Sequence, residues 1–214
     1  CGHDIHMSVW VGTARWLAEN RKAWRGTVVM VGQPAEEGGG GARAMIADGL
    51  FTRFPKPDYA LALHDSSGIP AGTVSVPQFR ALSISTSMDM VVKGVGGHGA
   101  YPASTKDPVA LAGRIITALQ TIVSRENDPF QPAVVTVGSF KTDSNASNVI
   151  ANQVVMEGTV RTLDPENRKL AEARIRQIAT STASAYGAKA EVIWEDGYPA
   201  TINHPDETVY SADV

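Results

Sequence analysis

The chain opens on Cys1-Gly2-His3-Asp4-Ile5-His6, which packs a thiol, two imidazoles and a carboxylate into six residues. Thiolate and imidazole are strong ligands for zinc-like ions, and an aspartate beside a ligand histidine can orient its ring. The same residues would also serve as polar capping at a helix start. Further on, Gln33-Pro34-Ala35-Glu36-Glu37-Gly38 follows an apolar run. Carboxylates at the C-terminal end of a strand stand where α/β sheets place ligands. Neighbouring side chains diverge, so one glutamate can hold a metal while the other acts as general base. Alone, such a pair is more often a solvated acidic loop. His64 ends an otherwise apolar stretch; a lone histidine there is usually a core residue, but its place at a strand end favours a ligand. Gly94 to Ala100 is a glycine-rich turn presenting His98. Its glycines permit close backbone approach, but the spacing is not that of a nucleotide loop. Together these stretches supply Cys1, His3, Glu37 and His64 as ligand types, Glu36 as base and His98 in reserve. A pair of ions about 3.5–4 Å apart would hold a bridging hydroxide and polarise a carbonyl, which suits amide hydrolysis.

The elements that must carry these residues divide into two patterns. In the first, Met7, Trp10, Val11, Ala14 and Leu17 repeat at helical spacing. Residues 26–32 and 58–64 read as buried strands, with a third expected at 73–76, and a helix runs from the Gly38–Gly41 turn to Asp48-Gly49. From Leu82 the pattern changes. Thr86, Met88, Met90 and Val92 alternate with Ser85, Ser87 and Asp89, as on a one-sided strand. Asp107-Pro108 and Asp164-Pro165 each place a cap before a proline at a helix start. The first helix carries Ala112, Ile115, Ile116, Leu119, Ile122 and Val123; the second carries Leu170, Ile175 and Ile178 and stops at Gly187. With strands at 133–140, 154–161 and 189–194, the order is β-α-β-β-α-β, the ferredoxin-like pattern. The expected fold is α/β: an incomplete mixed-sheet catalytic domain over 1–81, a ferredoxin-like domain over 82–195, and a return into the first domain over 196–214.

The 214 residues are 43% hydrophobic and 19% charged, ordinary for a globular chain. A net charge of −3 gives no electrostatic case for nucleic acid or a membrane surface, and no apolar run approaches the roughly 20 residues that span a bilayer. One cysteine excludes an internal disulfide framework. This is compatible with the cytoplasm and with a reduced periplasmic protein.

At these residues the sequence resembles the aminoacylase/carboxypeptidase group of metallopeptidases, in the amidohydrolase branch of hippurate hydrolases and indole-acetyl-amino-acid hydrolases. The stretches that carry the likeness are Cys1 to His6, Gln33 to Gly38, Leu63-His64, Gly94 to His98, Asp107-Pro108, Ser124-Arg125-Glu126, Asn148-Val149-Ile150 and Gly158 to Arg161, in family order over nearly the whole chain. The resemblance implies a catalytic α/β domain interrupted by a ferredoxin-like lid that also forms a homodimer. It implies two divalent ions (manganese or zinc, with nickel or cobalt also tolerated), Cys1 as bridging ligand, and His3, Glu37 and His64 as further ligands. Glu36 becomes the base, His98 stabilises the oxyanion in a partner subunit's site, and Asn148 and Arg161 hold the substrate. The implied reaction is hydrolysis of the amide bond of N-acyl amino acids. The family's last ligand is a histidine further downstream, and its first strands precede the Cys-Gly-His stretch, so the chain is expected to be a fragment. His204 does not fill the vacancy. Two positions depart from the pattern: Ala151 replaces a proline, and Asp65 replaces an apolar residue, adding a carboxylate near the metals. The competing expectation is that these 214 residues alone are catalytically inactive and act as a dimerising interaction module.

Overall fold

The structure is a computed structural model that describes residues 2–213; Cys1, the expected bridging ligand, lies outside the described residues. The chain forms two compact units, Cys1–Ser75 and Val76–Val214. The first carries α1 (His3–Glu19), α2 (Gly41–Ala47) and α3 (Leu50–Arg53). The second carries β1 (Arg80–Leu82), β2 (Ile84–Lys93), β3 (Gly97–His98), α4 (Pro108–Thr121), β4 (Ala133–Thr142), β5 (Val149–Ile150), β6 (Gln153–Thr162), α5 (Pro165–Ala185), β7 (Lys189–Asp196), β8 (Thr201–Ile202) and α6 (Pro205–Ala212).

The second unit follows the alternation read from its sequence. β2 buries Ile84, Thr86, Met88, Met90 and Val92, and β6 buries Val154, Met156, Val160 and Thr162. The four-stranded sheet has the order β4-β6-β2-β7, and every neighbouring pair is antiparallel. With α4 after the first strand and α5 after the third, this is the β-α-β-β-α-β arrangement. Both helices start as their sequences require. Asp107 Oδ1 accepts from the Val109 and Ala110 amides at 2.8 and 3.3 Å, and Asp164 Oδ1 from Glu166 and Asn167 at 2.9 and 3.3 Å. α4 buries Leu111, Ala112, Ile115 and Leu119, and Ile122 follows in a short π-helical turn, Ile122–Glu126.

α5 corrects the reading in one respect. It faces the core with Ala171, Ile175, Ala179 and Ala183, spaced four apart, while Leu170 is half exposed. Small side chains at that spacing let the helix pack closely, and the larger leucine falls on the outer face. The segment 196–214 belongs to this second unit: β8 pairs antiparallel with β1, and the Asn203 side chain donates to the Pro77 carbonyl at 2.9 Å.

The first unit is different. Residues 26–32, 58–64 and 73–76, read as strands, form no strand ladder among the described residues. Their apolar side chains are exposed: Val28, Val29, Val31, Leu63 and Val74 by two-fifths or more, and Leu61 by 90%. The face of α1 expected to be core is exposed too, at Met7, Trp10 and Val11. An apolar run becomes a ladder strand only where a neighbour supplies hydrogen bonds.

Candidate metal centre

The first unit carries a row of chemically active side chains. α1 begins at Gly2, whose φ of 63° is left-handed, and its first turn presents His3 and His6 on one face, three residues apart. Their rings stand 5.7 Å apart. Trp10, one turn further along the same face, donates from Nε1 to the Val31 carbonyl at 3.2 Å, which ties α1 to the segment leading into the glutamate pair.

That pair sits in a tight turn. Ala35 has a φ of 51°, a conformation that costs a non-glycine residue free energy. Gly41 closes the turn beneath it, where a Cβ would stand only 1.8 Å from the Pro34 carbonyl oxygen. The result brings Glu37 Oε1 to 3.3 Å and Glu36 Oε2 to 3.7 Å from His3 Nε2. All three side chains are about half exposed or more.

A second group lies next along the row. The His64 ring meets the His6 ring edge-on, with centroids 4.7 Å apart. His64 Nδ1 is 2.6 Å from the Asp65 carbonyl oxygen. An N–H there donates to the carbonyl, which leaves Nε2 as the basic nitrogen. Asp65 Oδ1 stands 2.8 Å from His6 Nε2 and 3.5 Å from His64 Nδ1.

Thus the structure groups His3 with Glu36 and Glu37, and His64 with His6 and Asp65. In each group one ligand atom per residue lies within 4.8 Å of the others. His6 was not among the residues singled out from sequence, and Asp65 was noted there only as a departure. Their meeting joins positions 59 apart, and no local pattern announces it.

The remaining expected residues lie in the second unit. His98 is on β3 and pairs with Val149 of β5, and the Gly99 amide donates to the Asn148 carbonyl at 2.7 Å, so His98 and Asn148 share one short ribbon. The glycines before His98 allow this: a Cβ at Gly96 would stand 2.6 Å from the Ile150 carbonyl oxygen. His98 Nδ1 accepts from the Ala100 amide at 3.1 Å, which puts the proton of the neutral ring on Nε2. His98 is exposed and its ring lies 5.5 Å from Tyr101. Arg161 is on β6, opposite Ser85 and Val134, and donates to the Ser85 hydroxyl. Glu126, part of the Ser124-Arg125-Glu126 stretch, pairs with Arg174 of α5, whose guanidinium holds its carboxyl below the ordinary value.

The family model described as Peptidase family M20/M25/M40 matches residues 1–212. YhaA of Bacillus subtilis, designated an amidohydrolase, is 40% identical over 209 residues, covering 97% of this chain and 52% of YhaA. The N-acetylcysteine deacetylase of the same organism is 36% identical, covering 95% of this chain and 52% of the relative. Among solved structures, the Bacillus subtilis YXEP protein, described as a dinuclear metal binding peptidase, superimposes with a TM-score of 0.69 at 30% identity, over 100% of this chain and 53% of that one. The chain spans about half the length of the curated relatives it matches.

Proposed function

The chain belongs to peptidase family M20/M25/M40, and from that premise we propose that it supplies most of the active site of a metal-dependent amidohydrolase acting on N-acyl amino acids. The observation that carries this reading is the convergence on His3 Nε2 of Glu37 at 3.3 Å and Glu36 at 3.7 Å, on the face of α1 that also carries His6 beside His64. Imidazole nitrogens and carboxylate oxygens at such separations are what a pair of divalent ions requires. The donor set fits, with manganese or zinc the ions these ligand types favour. His3, Glu37 and His64 would hold them, with Cys1 as a further ligand.

When bound, such ions acidify a water and polarise a carbonyl. The protein's own groups do the rest. Glu36, beside the ligand Glu37, takes the proton of the attacking water and returns it to the leaving amine. His98 offers an Nε2–H donor to the oxygen that becomes negative as the carbonyl is attacked. Asn148, on the same ribbon, hydrogen-bonds the amide. Arg161 offers a planar fork for the substrate carboxylate, and the names of the deacetylase relatives, which act on N-acetyl amino acids, agree with that class. His98 serves the site of a second copy, so the working form is a homodimer. Its contact is the ferredoxin-like domain over 82–195, while the catalytic domain takes in 1–81 and, through the pairing of β8 with β1 at its end, the return at 196–214. The exposed Phe140 and Ile193 on the edge strands β4 and β7 support such a contact. No helix among the described residues is long and apolar enough to cross a membrane, and a single cysteine suits the reducing cytoplasm. A second reading draws on the exposed apolar side chains of the first unit: these residues alone act as an inactive, dimerising module.

The test loads the protein with manganese or zinc and follows release of free amine from N-acetyl and N-benzoyl amino acids. The expected result is turnover that a chelator abolishes and metal restores. Bound metal without turnover on any member of the panel would overturn the amidohydrolase reading in favour of the module.

A further inference from the structure

Asp65 presents an anomaly that the proposed ligands leave open. Its Oδ1 is shut off from solvent and has no hydrogen-bond partner among the described residues, although unsatisfied buried carboxylate oxygens are costly. The oxygen is nonetheless 2.8 Å from His6 Nε2. That nitrogen faces the Asp65 backbone amide, which donates to it at 3.0 Å, so its lone pair and not a proton is turned this way. Two lone-pair atoms that close, with no proton between them, repel unless a cation lies between. His64 stands nearby, its Nδ1 3.5 Å from the same oxygen.

The backbone is built around this carboxylate. Gly2 caps α1 in the left-handed conformation, and a Cβ there would stand 2.2 Å from Asp65 Oδ2 and 2.6 Å from Oδ1. Only glycine leaves room for Asp65 at the first turn of α1. Around an ion with bonds of about 2.1 Å, adjacent ligand atoms stand roughly 3.0 Å apart in an octahedron and roughly 3.4 Å apart in a tetrahedron. The 2.8 Å between Asp65 Oδ1 and His6 Nε2 is close to the octahedral edge, and one ligand atom of His64 lies within 4.8 Å of both.

We propose that His6, His64 and Asp65 together hold one divalent cation, so that Asp65 and His6 are metal ligands and His64 belongs to their set. The inference rests on the reading of this unit as a metal centre and extends it by two ligands. A carboxylate with two imidazoles suits zinc, cobalt, nickel or manganese. Coordination takes over the His6 lone pair from the Asp65 amide. The other ion is left to His3 and Glu37, with Glu36 beside them as the base.

The experiment titrates the whole protein with zinc by calorimetry and with cobalt by visible absorption, comparing wild type with Asp65→Asn, His6→Asn and His3→Asn. Circular dichroism checks each variant's fold. The wild type is expected to take up two ions. Asp65→Asn and His6→Asn should each weaken one of them by on the order of 10–100-fold or more and change its cobalt spectrum, while His3→Asn weakens the other. Gly2→Ala, which drives a Cβ into the Asp65 carboxylate, should reproduce the Asp65→Asn spectrum. If both folded variants, Asp65→Asn and His6→Asn, keep two ions with wild-type affinity and spectrum, the proposal is overturned while the metal-centre reading stands. If the wild type binds no ion, both fall.

Discussion

The two units divide labour along a physical line. The second closes a core around Met88, Met90, Ile115, Leu119, Met156 and Ile175, none of which has any solvent exposure. The first buries only Gly41 among its described residues, yet it carries His3, His6, Glu36, Glu37, His64 and Asp65. One region is held by apolar packing over a sheet. In the other, polar groups are brought together by turns, a helix start and a few hydrogen bonds across the chain. A fold can therefore bring imidazoles and carboxylates together by backbone conformation, at Gly2, Ala35 and Gly41, where side-chain packing contributes little.

Substitution sets that contrast at its widest. Ile115→Ala should cost about 2–5 kcal/mol in urea unfolding, through lost burial and the cavity left behind. Leu61→Ala, at a side chain 90% exposed, should stay within about 0.5 kcal/mol. Equal losses would mean that the first unit has a core of its own. The next effect is smaller. Asp107→Ala removes the acceptor for two amides at the start of α4, and its unfolding midpoint should drop by the equivalent of about 1 kcal/mol. A null result would make the Asp107-Pro108 stretch a feature of something other than helix capping.

The smallest effect is a pH dependence. Arg174 holds the Glu126 carboxyl below its ordinary 4.5, chiefly by a side-chain hydrogen bond. A depressed folded-state value adds stability above the unfolded value, and that contribution is lost as the pH falls below about 4.5 and through the folded one. Glu126→Gln should therefore be slightly less stable than wild type at neutral pH, and the gap should close on acidification. A gap that persists in acid would show that packing, not charge, is what the pair contributes.

How much of this was legible in the sequence follows the same division. The sheet and both long helices of the second unit were readable because each of their residues faces either core or water, which writes a period of two or of about 3.6 into the chain. β1, β3, β5 and β8 are two or three residues long, too short for a period to show. In the first unit the apolar runs at 26–32 and 58–64 have strand composition, but pairing depends on a neighbour and not on composition. That His3, Glu37 and His64 lie among other imidazoles and carboxylates agrees with the stretches read from the sequence, where such side chains gather at turns. Their division into two groups was not legible there, since it depends on Asp65 meeting Gly2 and His6 through space.

The central claim is that Glu36 does the proton chemistry at a centre that other residues hold together. It is tested most directly by measuring turnover and bound metal on the same preparation of Glu36→Gln. The expected result is wild-type metal content and metal affinity, with amide hydrolysis reduced by about 100-fold or more. Wild-type turnover in that variant, with metal in place, would contradict it.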